Sequence, residues 1–536
     1  MDFPAHDALL LSGLLIAVAA MLIFAPRLHV PYPILLVIGG LAIGLIPGLP
    51  HLHIDPDVII VGLLPPLLYG TAFFTSVTDL RANKGQITLL ATGLVLFTTV
   101  VVAAVAHTVI DGMTWPAAFV LGAVVSPTDP LAATAIARRL GAPHRIIAVI
   151  EGESLVNDGT ALVAYRFAVV AVLSGTFSLG DAVVDFFVSV IGGIAIGLVI
   201  GYLVRQLRRR LDDPPAEITV SIFTGYVAYL AAGAAGVSAV LAAVTVGLYM
   251  GWYTPELTTA DMRLRGLAVW ELLLFVVNAL LFVFIGLQLP TILDDLSGIS
   301  TGQLVGYAVA VCAAVIVVRF LWLFPATYVP RMLSRRWRER NPAPPWQWVA
   351  LAGWAGMRGA VSLAAALAIP LTTDAGEPFP DRPLIVFLAF AVIFATLVLQ
   401  GLSLPLVIRA LRLEDESAAE AEAEATARVR AAEAALARLE ELSGEDWVRD
   451  STAERLRGTY AFRQRRFASR LDPEADGSLE ERSQAFQRLR YELLSAERDE
   501  LTSLRREGAI STEVWQRILR DIDLEHSRLD APVIER

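Results

Sequence analysis

Apolar stretches long enough to cross a bilayer recur along the chain as far as Leu411, and they restrict its fold more than any single residue does. A spanning helix takes about 20 residues. Runs of that order lie at about Asp7–Ala25, Pro31–Pro47, Asp57–Thr75, Gln86–Thr108, Trp115–Arg139, Arg145–Ser174 and Asp181–Val204. They continue at about Ala216–Ala234, Val237–Trp252, Gly266–Leu289, Thr301–Val329, Trp346–Leu371 and Leu384–Leu411. About thirteen spans follow, and with them an all-α polytopic membrane protein. A hydrophobic fraction of 55% over 536 residues rules out an ordinary soluble domain. The first run lacks a basic leader and a cleavage site, so it reads as a retained helix rather than a signal peptide. The single Cys312 excludes an intrachain disulfide.

Loop charge orients the spans. Alternate loops carry Arg27; Arg81 and Lys84; Arg138, Arg139 and Arg145; Arg205 and Arg208–Arg210; Arg263 and Arg265; and Arg331 through Arg340. The opposite loops hold Asp111, Asp294, Asp295, Asp374, Glu377 and Asp381, with Arg382 as their base. The positive-inside rule makes the basic loops cytoplasmic. The amino terminus is then outside and the carboxyl terminus inside, as an odd number of spans requires.

Two spans carry helix-breaking chemistry at mid-depth. In the fifth, Ser126-Pro127-Thr128-Asp129-Pro130 places two prolines around a Thr-Asp pair, removing backbone donors. In the twelfth, Gly353-Trp354-Ala355-Gly356-Met357-Arg358-Gly359 sets three glycines beside an arginine. Unwound backbone survives at that depth only when buried in protein or lining a wet cavity. A pair of interrupted helices in the two halves points to inverted repeats with a midplane site.

The sixth span holds the densest polar cluster, Glu151-Gly152-Glu153-Ser154-Leu155-Val156-Asn157-Asp158-Gly159. Ser154 and Asp158 share one helix face at i, i+4, and Glu153 and Asn157 share the next. A carboxylate there costs about 2.5–3.5 kcal/mol to insert, which makes function its default explanation. A helix-packing polar cluster is the structural alternative, but so many polar groups in one turn exceed what packing needs.

These motifs, with Gly356-Met357-Arg358-Gly359-Ala360 and the earlier Leu64-Pro65-Pro66-Leu67-Leu68, resemble the sodium/proton antiporters of the NhaP/NHE type. The resemblance covers about Asp7 to Leu411. It implies a core domain with crossed, broken fifth and twelfth helices, a dimerisation domain, and elevator-type alternating access in the plasma membrane. On this basis residues 1–411 form the antiporter domain, its core including 115–139, 145–174, 301–329 and 346–371. By motif, Asp158 becomes the carboxylate that takes either cation or proton, with Asn157 beside it. Ser154 and the Thr128 carbonyl become further Na+ ligands, an oxygen set suited to a hard cation. Asp129 and Arg358 would balance helix ends at the crossing. Glu153 would pair with a base, Arg319 first and Arg358 second, because a buried unpaired charge is costly. The Asn157-Asp158 order resembles the branch that exchanges one cation for one proton. One departure is Tyr69-Gly70, where many relatives carry an acid.

The resemblance thus implies Na+/H+ antiport by a homodimer in a lipid bilayer, with K+ or Li+ in place of Na+ as the nearest alternative. A membrane pH sensor acting through its tail, without net transport, is a different class. An intramembrane hydrolase using Ser154 lacks a placed histidine base. Beyond the transported ions, neither a cofactor nor a nucleic-acid partner is expected.

Residues 412–536 change character and read as a cytoplasmic helical tail. Glu414 to Leu442 is rich in Ala, Glu, Arg and Leu, strong helix formers. Further helices are expected at about Ser451–Arg470, Leu479–Arg506 and Ile510–Leu529, the last capped by Ser511. Tyr460, Phe462, Phe467, Phe486, Leu489 and Leu493 are candidates for a small core.

Overall fold

The computed structural model describes residues 31–46, 58–174, 179–294, 296, 298–340, 343–413, 417–472 and 477–529. The expected first span Asp7–Ala25, with Arg27 and Asp295, lies outside them. Among the described residues the chain is all helix and loop, with no β-strand. It divides into two units, Met1–Asp415 and Glu416–Arg536.

In the first unit, helix α1 spans Tyr32–Gly44, α2 Ile59–Phe74 and α3 Lys84–Val109. The fifth apolar run is two helices, α4 (Trp115–Val125) and α5 (Leu131–Arg139). Unbroken helices follow: α6 (His144–Ser174), α7 (Leu179–Arg208), α8 (Pro214–Ala234), α9 (Ala239–Leu257), α10 (Ala260–Asp294) and α11 (Thr301–Leu333). The twelfth run is again two pieces, α12 (Trp346–Trp354) and α13 (Ala360–Leu367), before α14 (Arg382–Leu411). Local chemistry sets the starts. Thr114, Ser238 and Ser300 accept from backbone N–H groups in the first turns of α4, α9 and α11. Arg382 donates to the Ile369 and Leu367 carbonyls, satisfying the end of α13.

Burial sorts centre from rim. The most apolar windows of α6 and α14 are 61% and 72% buried inside the protein, against 17% for α7. Val184, Phe187, Val188 and Ile191 of α7 are exposed, as a lipid-facing surface would be. Close approach of α1 and α10 depends on two glycines. A methyl group on Gly286 would lie 2.3 Å from the Val37 carbonyl oxygen, and one on Gly40 would lie 2.4 Å from that of Val283. Small residues are what allow membrane helices to pack this tightly.

The second unit contains α15 (Ser417–Leu442), α16 (Asp450–Ser469), α17 (Ser478–Arg506) and α18 (Thr512–His526). Ser511 caps α18 through the Val514 N–H. Glu440 accepts from Arg457, joining α15 to α16, and Glu480 accepts from Arg466 and Arg470, joining α16 to α17. Those bonds, Arg466 foremost, hold the Glu480 carboxyl below its ordinary range. Of the proposed core only Phe467 is buried, beneath Arg428 and Arg470, whereas Phe486, Leu489 and Leu493 are exposed. The face of α17 turned to α18 instead carries Arg490 and Arg498, paired with Glu525 and Asp523.

Gly286→Val should force α1 and α10 apart and cost about 1–3 kcal/mol or more. The check is thermal unfolding of purified protein, with an unchanged midpoint counting against the packing described.

Candidate functional site

Ser126 ends α4, its hydroxyl turned back onto the Ala123 carbonyl at 2.9 Å. Pro127 and Pro130 offer no N–H, so the chain runs non-helically to Leu131. Across from it, α12 stops at Trp354, and residues 356–359 run non-helically to Ala360. The two unwound segments cross and touch, the Asp129 N–H donating to the Met357 carbonyl at 2.8 Å.

Two charges close this crossing, Arg358 buried and Asp129 half-buried beside the cavity. The Asp129 carboxylate accepts the Leu131 N–H at 2.9 Å and also the Ala360 N–H, so one anion serves the N-terminal ends of both α5 and α13. Arg358 does the converse. Its Nε donates to the Val125 carbonyl, the last of α4, at 3.0 Å, and its Nη1 donates to the Gly356 carbonyl just past α12. Each charge has the sign that opposes the helix ends it meets. The approach leaves no room, for a methyl group on Gly359 would lie 1.8 Å from Asp129 Oδ2.

The middle of α6 packs against the crossing. Glu153 makes a two-pronged pair with Arg319 of α11, Nη1 to Oε1 at 2.5 Å and Nη2 to Oε2 at 2.9 Å, both residues 1% exposed. Arg319 also donates to the Ala352 carbonyl, occupying its remaining face. Arg358, the second candidate partner, turns Nε and Nη1 to backbone carbonyls instead, and its Nη2 makes no hydrogen bond among the described residues. The Thr128 hydroxyl donates to Glu153 and accepts from Asn157 Nδ2, at 3.2 and 2.8 Å. Ser154 donates to the Thr128 carbonyl at 2.7 Å.

Asp158 stands apart. Its carboxyl makes no hydrogen bond or ion pair among the described residues, although the residue is only 8% exposed. It lines a cavity of about 240 Å³. Thr128, Asp129, Ser154 and Ser362 give that cavity a polar wall, facing Leu67, Leu68 and Thr71 of α2 and Leu274 of α10. The Thr71 hydroxyl is bonded to its own helix, at the Leu67 and Leu68 carbonyls, so the second wall is effectively apolar. Tyr69 and Gly70 do not line the cavity. Tyr69 is buried against Trp270 and reaches Ser221, and Gly70 packs against Leu274.

Some participants escaped sequence reasoning. Thr396 accepts the Arg358 N–H from a π-helical turn of α14, with nothing in its neighbourhood to mark it. Arg138 pairs with Glu151 at the cavity edge, and Arg208 pairs with Glu217 in a buried contact joining α7 to α8. The spacing of Glu151, seven residues before Asp158, was the available clue to the first.

A family model described as the transmembrane sodium/hydrogen exchanger matches residues 13–410. The chain belongs to the sodium/hydrogen exchanger family. An uncharacterised Na(+)/H(+) exchanger of Mycobacterium bovis is 37% identical over 524 residues, covering 97% of this chain and 96% of that protein. A sodium, potassium, lithium and rubidium/H(+) antiporter of Bacillus pumilus is 34% identical over 388 residues, 70% of this chain and 58% of its own length. The solved sodium proton antiporter MjNhaP1 from Methanocaldococcus jannaschii shares the fold, with a TM-score of 0.58 at 18% identity, covering 75% of this chain and all of that one. The family carries cation/proton antiport across a membrane and is one of transporters, not enzymes. This exchanger is accordingly a multi-pass membrane protein. Its Ser154 hydroxyl donates to the Thr128 carbonyl rather than to a histidine base.

Arg319→Gln should destabilise the exchanger by about 3–5 kcal/mol, because Glu153 would be left buried and unpaired. The double change with Glu153→Gln should recover part of that loss in thermal unfolding. A single variant as stable as the parent would refute the coupling.

Proposed function

We propose that this protein exchanges one monovalent cation, sodium foremost, for one proton, with Asp158 as the group that holds either. One observation carries the reading. Asp129, Glu153, Arg319 and Arg358 each bond to protein groups, whereas among the described residues Asp158 is the carboxylate that lines the cavity without a partner. An isolated buried carboxylate is costly in a low-dielectric interior, so it calls for an external positive charge.

A proton and a cation both neutralise Asp158, and they exclude one another because they compete for the same oxygens. The Ser154 hydroxyl and the Thr128 carbonyl, already in contact at 2.7 Å, complete a hard-oxygen ligand set for the cation. Asn157 and Glu153 act on the Thr128 hydroxyl and so fix where its carbonyl points. Movement of the polar wall past the apolar wall of α2 and α10 is favoured only when the site is neutral. That condition yields one-for-one, electroneutral exchange with elevator-type alternating access. The protein works as a homodimer in the plasma membrane, with the basic loops and the tail on the cytoplasmic side.

A second reading keeps this mechanism and broadens the ion. The Bacillus pumilus relative is named for sodium, potassium, lithium and rubidium, and the ligand set here contains nothing that discriminates by charge among them.

The test is proton efflux from acid-loaded proteoliposomes with the membrane potential clamped, on adding each cation in turn. Wild type should show cation-dependent efflux insensitive to voltage, and Asp158→Asn should show none. Ser154→Ala should keep exchange while raising the half-saturating cation concentration about three- to tenfold, the loss of one ligand bond. Full exchange in Asp158→Asn would move the site elsewhere.

A further inference from the structure

The cavity wall contributed by α6 does not stop at Asp158. Glu151, Ser154, Leu155 and Asp158 all line it, at i, i+3, i+4 and i+7, so one helix face runs along the cavity. Seven residues of helix place Glu151 about 10 Å from Asp158 along the axis. Glu151 lies at the edge nearest the basic loops and meets Arg138, from the last turn of α5, at 2.6 Å. Both members of this pair line the cavity, with side chains 28% and 55% exposed.

An exposed pair of this kind contributes little to stability, and either partner can leave for water. Only Oε1 of Glu151 is engaged; Oε2 accepts no hydrogen bond among the described residues. The long arginine side chain can swing its head into solvent without disturbing α5. A guanidinium and an arriving monovalent cation carry the same charge, so for this carboxylate they are alternatives.

We propose that Glu151 is an outer receiving site for the cation at the cavity mouth, and that Arg138 is the resident counter-charge it displaces on the way to Asp158. The proposal rests on the cation/proton reading of Asp158 given above. While Arg138 stays on Glu151 the mouth is close to neutral. When the pair opens, a carboxylate about one Debye length from Asp158 draws cations toward the cavity. The two residues therefore act on cation capture with opposite sign and leave the step at Asp158 untouched.

The experiment measures the cation dependence of exchange in proteoliposomes for Glu151→Gln, Arg138→Gln and Arg139→Gln. Arg139 is the control, an exposed arginine on the same turn that does not line the cavity. Glu151→Gln should raise the half-saturating cation concentration about three- to tenfold, and Arg138→Gln should lower it by a comparable factor. Maximal rates should stay within about twofold of wild type, and Arg139→Gln should change neither quantity. The proposal is overturned if Glu151→Gln and Arg138→Gln leave half-saturation unchanged or move it in the same direction. It is equally overturned if Arg139→Gln matches Arg138→Gln, since surface potential alone would then suffice. Absent exchange in wild type, or exchange surviving in Asp158→Asn, would instead bring down the underlying reading. The inference fails alone when wild type exchanges, Asp158→Asn does not, and the mouth variants behave as wild type.

Discussion

Four helix ends meet in the interior of the membrane unit, and the rest of that unit is arranged around this constraint. An interrupted helix exposes backbone donors on one side of the break and acceptors on the other, and lipid satisfies neither. Here a single carboxylate, Asp129, takes the donors of two half-helices, and a single guanidinium, Arg358, takes the acceptors of two others. Because the compensation is shared, α4, α5, α12 and α13 are held in one arrangement. The unwound backbone that results presents the Thr128 carbonyl to the cavity, which no intact helix would do.

Around this frame, charge separates structure from transport. Glu153 and Arg319 are deeply buried and pair with one another, and Asp129 and Arg358 are held by backbone groups, with Arg358 Nη2 left over. Asp158 shares the depth but not the partners. In the proposed exchange, the carboxylate that folding leaves unmatched is the one a cation or a proton completes. The opposite wall, of leucines and an internally bonded threonine, offers a charge nothing, which suits a surface past which a neutralised site can move.

The membrane elements were legible because apolar length is a strong constraint in a bilayer. Where the helices outrun the apolar runs, as α7 does at Leu179–Arg208 against the expected Asp181–Val204, the extra turns are polar and helical for reasons hydropathy does not register. The breaks at Ser126–Pro130 and Gly356–Gly359 were legible because proline and glycine act locally. The motif resemblance and the argument that a buried charge requires a partner put Arg319 ahead of Arg358 as the partner of Glu153, though the two are 166 positions apart. The Thr396 hydroxyl, the Ala352 carbonyl and the Arg138–Glu151 contact were not legible, because each depends on how elements distant in sequence are rotated against one another. The tail shows the same limit. Its helices follow from composition, but the face of α17 that turns inward carries Leu494, buried as Ile522 of α18 is, with Arg490 and Arg498 paired at its rim and Phe486, Leu489 and Leu493 outside.

The crossing also dictates an order of assembly. Arg358 and the Val125 carbonyl it satisfies are 233 positions apart. When the fifth span has been synthesised and inserted, Asp129 has the Leu131 N–H of its own segment, yet Met357, Arg358 and Ala360, the segment's partners across the crossing, do not exist. Until α12 and α13 have been made, that segment carries an open Val125 carbonyl and an acid held only by its own Leu131 N–H. The crossing therefore cannot be completed from the first half of the chain alone. It closes only when the second half docks on the first, and a chain truncated before Arg358 would lack the means to finish what its own earlier residues begin.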